Sequence, residues 1–289
     1  MNGPGECLIS IVVPVHNTEP YLRKCLDSLL VQTMKEIEII AVDDCSTDGC
    51  AQILDKYAAM HANLKVIHQT NQGQGPARNS GVSAATGKYI GFVDSDDYVD
   101  KEMYRRLYTL VSGSNADMAV CKARAVDMNG VTGRRLDIWN KYGNAVIGRE
   151  EFLNNDLLNN ECSPVLWDKL IRSDIVKRHP STALRRGQDF ITLVDYMSEV
   201  KKIAFTDDVL YYYRHRPGSI MVAPECEETI LTDFKTEILA VSKIVSYFGG
   251  KPICRLYIER IIAEWNERIK DYPALEYLKE QIAAFAAYK

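Results

Sequence analysis

The sequence predicts an α/β fold with a mostly parallel central sheet flanked by helices and a helical appendage at its C-terminal end. Three observations indicate this class. Short apolar runs alternate with amphipathic segments over residues 1–120, which is typical of βαβ units. Two of these runs end in acidic residues, where open parallel sheets bind their ligands. From residue 227 onward only helical stripes remain.

Four runs in the first part have the length and apolar content of buried strands: 9–14, 37–42, 64–68 and 89–93. We expect Asn17 or Thr18 to cap the helix after the first strand and Ser46 to cap the helix after the second. Pro76 stands near the start of a third helix, which we expect Gly87 to close.

The second part of the chain has a less regular pattern. We expect a helix near 103–111, a strand at 117–121 and a loop or edge hairpin over 122–142. Helices are expected at 149–158, 167–177 and 191–200, with extended segments at 203–205 and 209–213. These changes predict three parts: residues 1–121, 122–222 and 223–289.

Composition narrows the classes of protein. The 289 residues carry a net charge of −4 and lack the basic field of a protein whose main partner is a nucleic acid. Eight scattered cysteines without a C-x-x-C pair favour a reduced, cytoplasmic protein. We find no signal-like start and no apolar run near the ~18 residues of a membrane span.

The acidic segment Asp94-Ser95-Asp96-Asp97 follows the fourth strand. Carboxylate oxygens suit Mg²⁺ or Mn²⁺, and such ions keep open positions for the phosphates of a nucleotide. The alternative is a solvated turn in which Asp96 or Asp97 caps the next helix.

The pair Asp43-Asp44 follows the second strand, and Asp44 suits a hydrogen bond from the imide N–H of a base such as uracil. A plain helix cap is the alternative. Arg78, near a helix start, suits bidentate phosphate binding, with a surface ion pair as the alternative. Gly73-Gln74-Gly75 is a poor match to a dinucleotide fingerprint.

Four successive segments resemble the motifs of the family 2 glycosyltransferases in order and spacing: ISIVVPVHN at 9–17, VDDCSTDG at 42–49, NQGQGPARNSG at 71–81 and GKYIGFVDSDD at 87–97. The resemblance is specific over residues 8–110, good over 167–172 and 186–216, and weak in the last sixty residues. It implies a GT-A fold and inverting transfer of a sugar from a nucleotide donor, usually a UDP-sugar.

The resemblance also implies roles for residues of the first part, the donor half. Pro14, His16 and Asp44 would line the base pocket, with Arg78 nearby. Asp94 would lie by the ribose, and Asp43 and Ser95 are further candidates for donor binding. Asp96, with Asp94, would hold Mn²⁺ or Mg²⁺. His16 could also be a turn residue that makes no contact with the base.

The acceptor half would supply the general base. The segment Arg186-Gly-Gln-Asp189 resembles the family's Gly-Glu-Asp segment, which implies that Asp189 takes the proton of the attacking hydroxyl. Gln188 departs from the usual glutamate, so acceptor binding is the function in doubt. The alternative for Asp189 is a helix cap or an ion pair with Arg185 or Arg186.

Two further segments supply candidates for the acceptor or a closing loop. Trp167 would wall a sugar pocket or, alternatively, pack in the core. His215 or Arg216 would close over the diphosphate from a loop, with an ordinary strand end as the alternative.

The leading hypothesis is therefore a metal-dependent inverting glycosyltransferase that builds a cell-surface polysaccharide or lipid-linked glycan on the cytoplasmic side. A lipid-linked acceptor would bring the C-terminal helices to the membrane surface, although their mixed charges fit a solvated helix equally well. A non-catalytic nucleotide-sugar-binding scaffold and a nucleotidyltransferase are the alternatives. The latter should carry a glycine-rich basic phosphate loop after the first strand, which this sequence lacks.

Overall fold

The computed structural model describes residues 7–127, 132–135, 141–158, 164–184, 186–215 and 226–284. Within these residues, the strands are β1 Ile9–Val15, β2 Ile37–Asp44, β3 Leu64–Gln69, β4 Tyr89–Phe92, β5 Tyr98–Val99, β6 Met118–Val126, β7 Thr132–Arg135, β8 Val146–Gly148, β9 Lys169–Arg172 and β10 Lys202–Arg214. The α-helices are α1 Glu19–Leu30, α2 Cys50–Met60, α3 Gln74–Ala84, α4 Met103–Ser114, α5 Arg149–Phe152, α6 Ser173–Arg178, α7 Gln188–Met197, α8 Glu227–Phe248, α9 Pro252–Arg268 and α10 Leu278–Ala284.

All ten described strands belong to one sheet, whose main path runs β3-β2-β1-β4-β9-β6-β10-β5. The first four strands of that path are parallel, as predicted for βαβ units. Beyond β4 the sheet is mixed, because β9 is antiparallel to both of its neighbours while β6 and β10 are parallel. The carboxyl ends of β1, β2 and β4 therefore share one edge, where the acidic residues lie.

Side chains alternate between the two faces of the sheet and build two cores. Val12 points into the core that contains α3, α7 and the C-terminal helices, whereas Ile11 and Val13 point into the core beneath α1, α2 and α4. The C-terminal helices continue the first core through buried residues such as Phe234 and Trp265. No helix of the described residues has the length and apolar character needed to cross a membrane.

A buried carboxylate fixes the start of the parallel strands. Glu38 on β2 accepts hydrogen bonds from Ser10 on β1 and from the backbone and hydroxyl groups of Thr86, each at 2.7 Å. Lys65 on β3 donates to its other oxygen at 2.7 Å. Burial alone would raise the pKa of Glu38, but these donors lower it to about 2. Three strands and the segment before β4 are thereby tied to one side chain.

The predicted helix caps are wrong, since other groups satisfy the helix starts. The Thr18 side chain makes no cap hydrogen bond and instead donates to Ser95 Oγ at 2.9 Å. The helix after β2 begins at Cys50, where Asp48 rather than Ser46 accepts the backbone N–H. The helix before β4 ends at Ala84, before Gly87. A Cβ at Gly87 would lie 2.5 Å from Ser10 N, so this glycine permits close backbone approach.

Three predicted segments differ from the structure. The predicted helix at 167–177 is a turn, β9 and the short α6, because Leu170 and Ile171, both 0% exposed, enter the centre of the sheet. The extended pieces at 203–205 and 209–213 form one long strand, β10. In the stretch 122–142, β6 continues to Val126 and pairs with β7 as an antiparallel hairpin, while 128–131 and 136–140 lie outside the described residues.

Candidate active site

The loops after β1 and β2 brace each other through left-handed backbone positions. Asn17 and Cys45 have φ values of 50° and 61°, in a region that non-glycine residues rarely adopt. The Asn17 side chain accepts from Thr47 N at 2.8 Å, and Asn17 N donates to Ser46 Oγ at 3.1 Å. Ser46 therefore acts as a loop brace rather than as a helix cap.

His16 lies in the first of these loops and is exposed. Its Nδ1 lies 2.8 Å from the backbone carbonyl oxygen of Asp44, and its Nε2 lies 3.3 Å from the side-chain nitrogen Nδ2 of Asn17. A neutral ring that donates from Nδ1 and accepts at Nε2 satisfies both contacts. These contacts hold the exposed ring just after the carboxyl end of β1, whereas Pro14 is buried within β1.

The two acids after β2 have different surroundings. Asp44 is 3% exposed and accepts from Gln69 Nε2 at 2.8 Å, Gln72 N at 2.9 Å and Gly73 N at 2.7 Å. It thereby shapes the turn that leads into α3. Asp43 accepts from Ser46 N and faces His68 at 3.0 Å, and that contact raises the pKa of His68. Asp43 thus links β2 to β3.

The Arg78 side chain bridges Asp94 and Asp189 and is 1% exposed. Its Nη2 donates to Asp94 Oδ1 at 3.1 Å, and its Nη1 donates to Asp189 Oδ1. Gln74, one turn earlier on α3, also donates to Asp94 Oδ1 at 3.0 Å. Neither a solvated turn nor a surface ion pair describes these residues, because a buried guanidinium joins the acidic segment to the predicted general base.

The acidic segment is crowded with negative charge. Burial, followed by the neighbouring carboxylates of Asp189 and Asp96, raises the pKa of Asp94 to about 6 against the lowering effect of Arg78. Asp97 is 1% exposed, and burial together with Asp96 and Asp94 raises its pKa well above the usual range. A cation bound here would relieve this repulsion.

Asp94 and Asp96 fit a divalent cation as donors. Gln74 and Arg78 both donate to Asp94 Oδ1, so within the described residues Oδ2 accepts no hydrogen bond. Carboxylate oxygens are the ligands that Mg²⁺ and Mn²⁺ prefer. Among the described residues no group of three or more acidic, histidine or cysteine side chains is arranged to hold a metal unaided. Two carboxylates completed by substrate phosphates are the common arrangement for such ions.

Ser95 and Asp97 connect this segment to its surroundings. Ser95 is 4% exposed and accepts from Thr18 of the first loop. Asp97 accepts from the Tyr211 hydroxyl and from Arg214 N, both at 2.7 Å, and the same hydroxyl accepts from Asp94 N at 3.2 Å. The end of β10 therefore supports the acidic segment through contacts that do not involve Arg78.

Asp189 lies in the first turn of α7. Its Oδ2 is 3.4 Å from Leu166 N, and its side chain remains 23% exposed, so the carboxylate is held yet reachable. Gln188 beside it is 5% exposed, and its Nε2 has no hydrogen-bond partner among the described residues. A Cβ on Gly75 would come within 2.4 Å of that nitrogen, so Gln188 packs against the start of α3.

The remaining candidates lie near the end of β10. Trp167 is 3% exposed and stacks on Tyr211 with ring centroids 4.2 Å apart, which fits the packing alternative; a wall of a sugar pocket stays a prediction. His215 is exposed, directly after β10, and its ring meets Tyr213 edge-on at 5.1 Å. Arg185 and Arg216 lie outside the described residues.

Sequence reasoning missed several residues of the site. Tyr211, Arg214 and Asp97 form its support, and only the position of Asp97 within the acidic run hinted at this. The buried pair of Lys169 and Asp168, 2.7 Å apart, also lies near the site. Its signal was two adjacent charges in an otherwise apolar segment, which marks a paired group.

The chain resembles known proteins in sequence. The model of the family described as "Glycosyl transferase family 2" matches residues 10–169. Glycosyltransferase GlyG of Streptococcus pneumoniae is 36% identical over 222 residues, which are 74% of this chain and 73% of GlyG. EpsJ of Bacillus subtilis, an uncharacterized glycosyltransferase, is 34% identical over 75% of this chain, and the match spans 64% of EpsJ, less than two thirds of its length.

A solved structure gives the same answer for the fold. TarS 1-349 of Staphylococcus aureus in complex with UDP-GlcNAc aligns with a TM-score of 0.72 and 26% identity, over 94% of this chain and 75% of that one. The predicted GT-A fold is thereby confirmed. On the family match and these similarities, the chain belongs to glycosyl transferase family 2.

Proposed function

We propose that the protein transfers a sugar, with inversion, from a UDP-linked donor to a hydroxyl group of a glycan or lipid-linked acceptor during synthesis of a cell-surface polysaccharide. The observation that carries this proposal is the contact of buried Arg78 with both Asp94 and Asp189. This contact holds Asp189, a carboxylate that can accept a proton, beside the acidic segment, whose carboxylates suit a metal ion bound to a diphosphate.

We place the nucleotide-sugar donor at the carboxyl ends of β1, β2 and β4. Asp44, with the loop that it organises, and the exposed His16 ring provide the polar and stacking groups that a pyrimidine base requires. TarS was solved with UDP-GlcNAc, which supports UDP as the nucleotide. Residues 1–121 would then be the donor half and 122–222 the acceptor half.

The chemistry follows from the placement of the acids. An inverting reaction requires the acceptor hydroxyl to approach the anomeric carbon opposite the leaving diphosphate, with a base to receive its proton. Asp189 has that role, since its carboxylate is held by Arg78 and partly exposed. Asp94 and Asp96 would hold Mn²⁺ or Mg²⁺, which when bound supplies positive charge to the diphosphate.

The first experiment is a thermal-shift panel of UDP-, GDP- and dTDP-sugars with Mn²⁺ or Mg²⁺, followed by donor hydrolysis on the best hit. A UDP-sugar should give the largest stabilisation and be hydrolysed slowly without an acceptor. Binding without hydrolysis or transfer to any acceptor would support a non-catalytic scaffold instead.

The second experiment replaces Asp189, the proposed general base. Asp189→Asn should lower transfer by about 10²- to 10⁴-fold, because the amide cannot take the hydroxyl proton, while UDP binding stays within a few-fold of the wild type. Asp208→Asn is the control, since this residue lies on β10 and its side chain is 47% exposed. Unchanged transfer by Asp189→Asn removes this residue from the mechanism.

A further inference from the structure

A second cleft lies beside α7, between the loop that precedes this helix and helices α8 and α9. It is open to solvent on one side and has a volume of about 510 Å³. Arg186 and Gly187 form one wall, Asp233 and Glu237 on α8 a second, and Glu264 and Arg268 on α9 a third. We call it the α8–α9 pocket; its volume is in the range of small-molecule sites.

Ion pairs fix the walls of the α8–α9 pocket. Asp233 accepts from Arg268 Nη2 at 2.7 Å and lies 3.3 Å from Arg186 Nε, so one carboxylate holds guanidinium groups from two separate elements. The Arg268 guanidinium also lies 4.9 Å from the centre of the Trp265 ring. Both arginine side chains keep about a quarter to a third of their surface exposed, at 24% and 30%, and can donate further hydrogen bonds.

The pocket is joined to the predicted base by a short, constrained stretch of chain. Gly187 has a φ of 68°, and a Cβ there would lie 2.7 Å from Thr236 Cγ2 on α8. Only glycine therefore permits this approach of the loop to α8. Arg186 precedes Asp189 by three positions, a reach of about 11 Å at most. A sugar unit beside Arg186 would therefore be close to Asp189, the residue that would activate the acceptor hydroxyl.

The lining favours a polyhydroxylated ligand without strong charge. Guanidinium groups donate and carboxylates accept, which matches the mixed demands of sugar hydroxyls. Arg186 and Arg268 stand against Asp233, Glu237 and Glu264, so the walls carry no excess of positive charge for an anion. Glu237 is held by a hydrogen bond of 2.5 Å from the Tyr257 hydroxyl, which fixes its orientation.

We propose that the α8–α9 pocket binds a neutral sugar unit of the acceptor glycan, adjacent to the unit whose hydroxyl attacks the donor. This assignment rests on the proposed function, and it gives the C-terminal helices a part in selecting the acceptor. The pocket is distinct from the proposed donor site. Its lining comes from α8, α9 and the loop before α7, whereas the donor site lies at the carboxyl ends of β1, β2 and β4.

Saturation-transfer NMR tests this with the neutral disaccharides cellobiose, lactose and chitobiose on the full chain with UDP and Mn²⁺. At least one of them should bind. Glu264→Gln and Arg268→Gln should each weaken that binding about 5- to 10-fold, the loss expected for one hydrogen bond. Glu264→Gln is the cleaner variant, since its side chain is 58% exposed and a folding defect is not expected.

Matched controls come from the same helix. Arg255→Gln and Glu259→Gln alter an exposed ion pair of 3.1 Å on α9 that does not line the pocket, and they should leave disaccharide binding unchanged. Absence of binding by all three disaccharides, or equal binding by Glu264→Gln, Arg268→Gln and the wild type, overturns the proposal. Preferential binding of glycerol 3-phosphate with loss in Arg268→Gln overturns the neutral class of ligand.

Hydrolysis of a UDP-sugar by the wild-type protein separates the two proposals. If hydrolysis occurs and the pocket variants bind sugar normally, the pocket assignment fails and the proposed function stands. If no nucleotide sugar is bound or hydrolysed, the proposed function fails first.

Discussion

Arg78 donates from Nη1 to Oδ1 of Asp189, although the two residues stand 111 positions apart in the chain. The guanidinium is 1% exposed, so this ion pair is shielded from solvent on the arginine side. Because Nη2 of the same group reaches Asp94, the distance between the acidic segment and Asp189 is set by one planar side chain.

Arg78→Lys should therefore lower sugar transfer by about 10- to 100-fold, because a single ammonium group cannot hold both carboxylates in the geometry of a planar fork. The measurement is the rate of transfer from the best donor under saturating conditions, with the melting temperature recorded in parallel. Arg105→Lys, on an arginine that is 58% exposed, is the control. A rate within twofold of the wild type would contradict the bridging role.

Asp96→Ala should abolish the metal dependence of UDP binding. Removing the carboxylate leaves Asp94 as the remaining predicted ligand, so Mn²⁺ should no longer raise the affinity for UDP. Titration calorimetry with and without EDTA measures the difference, and Asp208→Ala serves as an exposed control. Metal-stimulated binding equal to that of the wild type would refute the ligand assignment.

Tyr211→Phe should destabilise the protein by about 1–3 kcal/mol, because the Asp94 amide loses its acceptor and the buried Asp97 loses a donor. We also expect weaker metal-stimulated UDP binding, since the acidic segment loses its support from β10. Tyr212→Phe, at the next position, stacks on Tyr98 and is the matched control. Urea unfolding measures the first effect; equal midpoints for the two variants would count against this account.

Glu38→Gln should reduce the free energy of unfolding by about 2–3 kcal/mol at pH 7. The folded pKa of Glu38, about 2, lies below its ordinary value of 4.5, so its stabilisation is complete above pH 4.5 and is lost as the pH falls toward 2. The difference in melting temperature between wild type and variant should narrow over that range. Glu36→Gln, on an exposed neighbour, should show no such trend.

The sequence predicted the parallel half of the fold well because its signals are local. Each apolar run from β1 to β4 is bounded by turn residues and followed by an amphipathic helix, so period and length agree. β9 was mistaken for a helix because a run of four residues between two other strands leaves no periodic pattern. Its place in the sheet depends on partners that are distant in sequence.

The candidate site was predictable only as a set of residue types at strand ends. Two features of the site depend on contacts between residues 16 to 117 positions apart: Arg78 pairs with two acids, and Tyr211 supports the acidic segment through Asp94 and Asp97. The caps expected at Thr18 and Ser46 failed for the same reason, since both hydroxyl groups serve contacts between loops. The capping propensity of a Ser or Thr side chain shows that it can begin a helix, but tertiary contacts decide which hydrogen bond it makes.

The insertion of β9 between β4 and β6 bears on the order in which the chain can fold as it is synthesised. Residues 9–92 contain four complete parallel strands, yet β4 pairs on its outer side with residues 169–172. Until those residues leave the ribosome, the nascent sheet ends in an unpaired edge that can join a strand of another chain. The acidic residues after β2 and β4 are thus made long before the partner strand that covers β4, and prompt protection of that edge should decide the yield of correctly folded protein.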